Sequence, residues 1–280
     1  MSVFRTTTLF LLSRSLPSPF LFFLFEQLAS HFEFLLLTFL MSNSYFQFKQ
    51  FTIQQDRCAM KVTTDSCLFG AWVADDLAKE KTDQTSLLDI GAGTGLLSLM
   101  TAQKNNTAIT AVEIDNAAFE QAKENINASP WQERIQLFNS DIRQFSFSKK
   151  YDFIISNPPF YENELQSPAK EKNTAHHSTD LSLNNLFEII KTNLSSNGNF
   201  FLLLPYKRNE EINDLLKKNN LYASKKIVVR QTTKHDYFRI LLKGNLYNTE
   251  TTTGEIAIRN TNQEYTKEFI QLLKEYYLHL

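Results

Sequence analysis

The most chemically specific stretch of the sequence is Asn157-Pro158-Pro159-Phe160, which follows the apolar run Phe153-Ile154-Ile155-Ser156. Two adjacent prolines end a strand or helix and stiffen the chain, so Asn157 is held extended and Phe160 projects from a rigid base. A side-chain amide oxygen beside a backbone carbonyl is a pair of acceptors suited to the two N–H groups of a planar amine. The nitrogen of such an amine is a weak nucleophile, because its lone pair is delocalised. If the Asn157 side-chain oxygen and the Pro158 carbonyl hold both N–H groups, charge developing on nitrogen is stabilised and its lone pair can turn toward an electrophile. Phe160 can stack on a flat substrate, and no strong side-chain base is needed to remove the proton afterwards.

A second stretch, Asp89-Ile90-Gly91-Ala92-Gly93-Thr94-Gly95, follows an apolar strand pattern and opens a helical one. Its glycines permit a tight turn and let backbone approach a ligand closely, next to the positive end of a helix. A dinucleotide loop requires Gly-x-Gly-x-x-Gly, whereas here the third glycine comes one residue early and Leu96 takes its place. The strand, acid and Gly-x-Gly-x-Gly order instead resembles the S-adenosylmethionine (SAM) loop of class I methyltransferases. That resemblance implies backbone contact with the methionine part of SAM and makes Asp89, Gly91, Gly93 and Gly95 candidate cofactor residues. Glu113 ends the next strand and is placed to accept two ribose hydroxyls; as a plain structural residue it would be a solvent-facing acid before an N-cap at Asp115. Asp141, in Asn139-Ser140-Asp141-Ile142, is either a turn residue or, as the resemblance implies, the acceptor for the adenine amino group of SAM.

Upstream lie Phe48-Lys49-Gln50-Phe51, Asp56-Arg57-Cys58-Ala59-Met60-Lys61-Val62 and Thr63-Thr64-Asp65, followed by the start of a helix. By composition they form a short amphipathic strand pair leading to a helix capped near Thr64. Together with the glycine loop, Glu113, Asn125-Ile126-Asn127-Ala128-Ser129-Pro130-Trp131, the Asn-Pro-Pro motif and Asn262-Gln263-Glu264-Tyr265, they closely resemble the tRNA1(Val) (adenine(37)-N6)-methyltransferase family. The likeness runs from Phe48 to the C-terminus. It implies a SAM-dependent enzyme that methylates N6 of an adenine in a tRNA anticodon loop, with Asn157, Pro158, Pro159 and Phe160 positioning the target. It also implies cofactor contacts at Thr63, Thr64 and Asp65, because in related enzymes the segment before the first helix lies over SAM. Phe160 departs from the tyrosine common at this position, although either ring can stack.

The elements that must position these residues are legible from periodicity. Buried strands are predicted at 87–90, 109–114, 135–138, 151–156 and 200–204, alternating with helical patterns at 96–103, 116–126 and 181–194. This rhythm predicts an α/β fold with a doubly wound sheet, mostly parallel, with antiparallel C-terminal strands, and the resemblance implies that it is of the class I methyltransferase, Rossmann-like type. A turn is predicted at Asn197-Gly198 and a terminal helix over 265–280. With 280 residues, 42% hydrophobic and 29 basic against 30 acidic side chains, the chain is neither disordered nor a wholly basic binding protein. The near-neutral sum hides a positive stretch from Phe200 to Asn245, including Lys207-Arg208, Lys217-Lys218, Lys225-Lys226, Arg230, Lys234 and Arg239. Phosphate binding and charged helix faces explain it equally well. His176 and His177, in the polar stretch Glu162–Ser178, are solvent-facing side chains or part of a lid on the substrate.

Residues 1–40 differ from the rest: they hold nine of the 24 Phe and no Lys, Asp or Gly. Arg14, Pro17 and Pro19 spoil a secretory signal, and Glu26 and Glu33 interrupt a possible membrane span. The expectation is a mis-assigned start, with a hydrophobic anchor as the alternative, and one methyltransferase domain over 41–280. Cys58 and Cys67 alone make neither a disulfide scaffold nor a four-ligand metal site. The expected protein is a cytoplasmic monomer with SAM as cofactor, a tRNA substrate, no metal and no stable membrane association. The competing readings are N5-methylation of a protein glutamine, whose amide also fits the tetrapeptide, and a SAM-binding RNA interaction protein without catalysis.

Overall fold

The computed structural model describes residues 44–79, 85–159 and 181–280. The expectations for residues 1–40, for Phe160 and for the 162–178 segment with His176 and His177 lie outside the described residues. Tyr45–Leu280 form one compact unit. Among the described residues, no helix is long and apolar enough to cross a membrane.

The strand pair β1 (Tyr45–Gln47) and β2 (Thr52–Gln54) is antiparallel and leads to helix α1 (Thr64–Leu77). Then come β3 (Ser86–Ile90), α2 (Leu96–Lys104), β4 (Ala108–Glu113), α3 (Asn116–Asn127), β5 (Ile135–Asn139) and β6 (Tyr151–Ser156). They are followed by α4 (Leu183–Asn193), β7 (Leu194–Pro205), α5 (Asn209–Asn219), β8 (Tyr222–Thr232), β9 (Tyr237–Asn245), β10 (Thr252–Arg259) and α6 (Lys267–Leu273). The main sheet has the order β10-β8-β9-β7-β6-β3-β4-β5. From β3 the chain winds outward through β4 to β5, then returns to place β6 on the other side of β3. The topological switch point therefore lies between β3 and β6, where open α/β sheets bind ligands beyond the carboxyl ends of their strands.

The continuous apolar strands are explained by burial on two faces. Leu87, Ile109, Phe153, Ile155, Phe201 and Leu203 point into one core with α1, α2 and α6, while Leu88, Ile90, Ile154, Leu202 and Leu204 point into another with α4 and α5. The predicted helix over 265–280 is shorter, ending at Leu273, because the chain beyond it is used otherwise. Tyr277 bridges to Phe48, Lys49 N–H donates to the Tyr276 carbonyl at 2.8 Å, and the Tyr276 hydroxyl donates to the Met100 carbonyl at 3.0 Å. Asn197-Gly198 is not a turn before the fifth strand but a register irregularity within β7, whose pairing with β6 jumps from Tyr151↔Leu194 to Phe153↔Asn199. The C-terminal strands also differ in detail from expectation. Only β9 runs antiparallel to its neighbours β7 and β8; β10 returns parallel to β8.

Gly244 in β9 sits where a side chain has no room: a Cβ there would stand 2.3 Å from the Phe200 ring and 2.6 Å from the Tyr222 carbonyl oxygen. Gly244→Ala is expected to lower the unfolding free energy by about 1–3 kcal/mol, read as a lower urea midpoint at constant m. An unchanged midpoint would contradict this packing.

Candidate active site

The glycine loop joins β3 to α2 with Gly91, Gly93 and Gly95 at φ of 72°, 56° and 82°, a region that side chains with a Cβ enter only under strain. At Gly91 and Gly93 a Cβ would meet nothing within 4 Å, so the loop presents bare backbone to an open cavity. The loop is fixed from behind. Gly91 and Ala92 donate to the Val112 carbonyl at 2.9 and 3.1 Å, and Gly93 N–H donates to Glu113 Oε2 at 2.8 Å. The other carboxylate oxygen, Oε1, accepts from Asp115 N–H at 2.8 Å, and Asp115 in turn caps α3 by accepting from Ala118 N–H. Glu113 is 7% exposed and faces the cavity, so the expected acid and the N-cap at Asp115 are both present.

The opposite wall comes from β6. Ile90 pairs with Ser156, and the Ser156 hydroxyl donates to the Ile90 carbonyl at 2.8 Å, which brings Asn157 to the switch point. One cavity of about 260 Å³ is lined by Gly91, Gly93, Glu113, Asp141, Asn157, Pro158 and Pro159. The Asp141 carboxylate is gripped by Arg143 through its backbone N–H and guanidinium, at 2.6–2.9 Å. Those bonds hold its pKa below the usual carboxylate range. Asp89 and Gly95 stand behind the cavity rather than in its lining. Gly95 begins α2 against Ala122 and Ile126, and Asp89 is fully buried, accepting from the Ser98 hydroxyl at 2.7 Å while its Oδ1 has no partner. Burial, reinforced by the Glu113 charge, pushes the Asp89 carboxyl up to about 7.

Thr63, Thr64 and Asp65 are brought elsewhere. Thr63 is the N-cap of α1 in a reciprocal box with Ser66, Asp65 pairs with Arg239 at 2.7 Å, and all three line a second cavity of about 620 Å³. In the first cavity their expected place is taken by Cys58, Ala59 and Met60. This strap is held by Asn125, which is 2% exposed, accepts from Gln54 N–H at 2.8 Å, and donates to both the Gln54 and Thr94 carbonyls at 2.9 Å. Arg57 adds a backbone bond to Gln121 and an ion pair with Glu124. The sequence signal for Asn125 was only its place in the Asn-Ile-Asn-Ala-Ser-Pro-Trp run; nothing in the type or spacing of Cys58–Met60 singles them out.

The domain spanning 71–226 matches the methyltransferase small domain model. Curated relatives named tRNA1(Val) (adenine(37)-N6)-methyltransferase include one from Bacteroides fragilis, 37% identical over 85% of this chain and 99% of the relative. Another, from Dyadobacter fermentans, is 38% identical over 84% of this chain and 98% of its own. The chain belongs to the tRNA1(Val) (adenine(37)-N6)-methyltransferase family. Solved structures share the fold at low identity. A predicted O-methyltransferase from Agrobacterium tumefaciens superposes with a TM-score of 0.57 at 16% identity, covering 75% of this chain and 96% of its own. A ribosomal protein L11 methylase from Lactobacillus delbrueckii subsp. bulgaricus gives 0.50 at 15% identity, covering 70% and 84%. These structures place the chain among class I methyltransferase folds.

SAM is the methyl donor this family uses, and the residues present fit it. The bare backbone at Gly91 and Gly93 leaves room where any side chain would intrude, and each Glu113 oxygen, already accepting one N–H, keeps a lone pair for a hydroxyl. Glu113→Gln leaves one oxygen for the two N–H groups of Gly93 and Asp115; it is expected to weaken SAM binding by about ten- to a hundred-fold, measured by calorimetry. Wild-type affinity in that variant would remove Glu113 from the site. The raised Asp89 pKa has a separate consequence. The folded protein holds this proton more tightly than the unfolded chain, so the contribution is favourable below about pH 4 and is lost as pH rises through about 7. Asp89→Asn should flatten that part of the decline in urea-unfolding stability of the ligand-free protein; identical pH slopes would refute it.

Proposed function

We infer that this protein transfers the methyl group of SAM to N6 of an adenine in a tRNA anticodon loop, adenine 37 of tRNA1(Val). The observation that carries the reading is the placement of Asn157-Pro158-Pro159 at the end of β6, on the same cavity as Gly91, Gly93 and Glu113. The names of the relatives supply the substrate. Gly91, Gly93, Glu113 and Asp141 would hold the donor, with Asp89 and Gly95 shaping the loop from behind. The donor supplies an electrophilic methyl on sulfur.

The protein's own part is to make a poor nucleophile act in one direction. Among the described residues the Asn157 carboxamide has no hydrogen-bond partner, so its oxygen is available to an incoming amino group, as is the Pro158 carbonyl. With both N–H groups accepted, positive charge growing on N6 as the new N–C bond forms meets two fixed dipoles, and the extra proton then passes to solvent. Phe160 would stack on the adenine ring. An anticodon loop offers its bases unpaired, which lowers the cost of extruding one into the cavity. Such a reaction on tRNA suits a cytoplasmic enzyme.

Asn157→Ala is expected to bind SAM normally and lose about 100- to 1,000-fold in kcat on unmodified tRNA, measured with labelled donor and nucleoside mapping. Retained turnover would remove Asn157 from the chemistry. Methyl transfer to release-factor protein instead of tRNA would favour the glutamine reading.

A further inference from the structure

The second cavity, about 620 Å³, opens along the same edge of the sheet as the first but on the far side of Asn157. Its floor is the carboxyl end of β7 at Pro205 and the start of β9 at Tyr237, Phe238 and Arg239. β7 lies next to β6, with Ser156 paired to Leu202, and continues past that register to Pro205, which pairs with Arg239. The donor cavity occupies the β3–β4–β5 side and this one the β7–β9 side, with the Asn157 clamp between them. A base held at Asn157 remains attached to a polynucleotide on both flanks. One side of the clamp faces the first cavity, and on the other side this groove offers a concavity among the described residues.

The chemistry of the groove suits that occupant. Of the basic residues in the 200–245 stretch, Arg208 pairs with Glu211, Arg230 with Glu255, Arg239 with Asp65 and Lys243 with Asp76, so much of the positive charge is neutralised locally. Lys207, exposed on the groove wall, has no protein partner among the described residues. Phe238 supplies a ring, with the Arg239 guanidinium 5.2 Å from its centroid and held by Asp65, while one face of the Tyr237 ring is covered by Arg230 at 4.2 Å. Thr64 and Gln231 add neutral polar groups. Aromatic faces beside an unpaired cation are the elements of single-stranded nucleic-acid binding: bases stack and phosphates pair, without a requirement for sequence.

We propose that this groove seats the nucleotides flanking the target adenine, with Lys207 on a phosphate and Phe238 under a base. The proposal rests on the reading of the site as an RNA adenine methyltransferase and assigns Lys207 and Phe238 as substrate-positioning residues. Thr63, Thr64 and Asp65 thereby belong to the RNA side of the enzyme rather than to the donor side.

The test uses the full chain and an unmodified anticodon stem-loop RNA, with a second stem-loop abasic at the nucleotides beside the target. Lys207→Ala is surface-exposed, and Phe238→Leu keeps an apolar side chain against the core while removing the ring. Lys207→Ala is expected to weaken stem-loop binding about five- to tenfold at low salt and to reduce the log–log salt slope by about 0.7–0.9. Phe238→Leu is expected to raise the RNA KM about tenfold with kcat at saturation nearly unchanged, and to have no further effect on the abasic RNA. SAM affinity should be that of the wild type in both. Wild-type RNA affinity, KM and salt slope in both variants would overturn the groove while leaving the methyltransferase reading intact if the tRNA is still methylated. Weakened RNA binding in the variants, in a wild-type protein that methylates no tRNA, would support the groove and overturn the activity. Displacement of a glutamine peptide, but not RNA, by these substitutions would also overturn the groove.

Discussion

The two oxygens of one carboxylate tie together the walls of the first cavity. Glu113 takes the N–H of Gly93 on one oxygen and that of Asp115 on the other, so the turn after β3 and the start of α3 are referred to a single side chain at the tip of β4. The glycine loop has no side chains of its own with which to keep its shape, and its left-handed residues would otherwise sample several conformations. Fixing it through Glu113 and the Val112 carbonyl couples loop geometry to the position of an acid that also lines the cavity. Asn125 repeats the device from the other side, tying Thr94 and the β2 strand to α3.

This construction separates two tasks along one edge of the sheet. Glycine-loop backbone and acids line the first cavity over β3, β4 and β5, while the basic and aromatic groove lies over β7 and β9. The proline-locked Asn157 stands at the switch point, and Ser156 pins it to β3 through the Ile90 carbonyl. A hydrogen bond between adjacent strands thus helps to fix Asn157 relative to the glycine loop.

The readable parts of the sequence were those in which backbone physics restricts residue type. Glycines at left-handed φ and paired prolines after a strand announce themselves, and the buried parallel strands were visible because both of their faces are apolar. The N-cap of α1, expected near Thr64 and found at Thr63, was legible to within one residue for the same local reason. Which cavity Thr63, Thr64 and Asp65 would line was not, because that depends on Arg239, far away in sequence. Asn125 and the Cys58–Met60 strap were hidden likewise, since the bonds that define them join Gln54 to Asn125 across 71 positions. Helix α5 escaped notice because only Ile212, Leu216 and Asn219 are buried in an otherwise polar stretch. The last helix was overextended because Tyr276 and Tyr277 continue its apolar pattern while packing into the core away from it. The single reversed strand, β9, could not be told from an antiparallel series by periodicity, which carries no information on direction.

The closure of β1 and β2 against the far end of the chain has a consequence for synthesis. Phe48 stacks on Phe51 and packs on Tyr277, and Lys49 bonds the Lys274 carbonyl, 225 positions later. While the ribosome is still making the second half, Phe48 and Lys49 therefore lack the partners they close against, whereas Asn125, which holds the strap, has already been made. The seam that joins these first strands to Tyr277 can close only after nearly the whole polypeptide has been made.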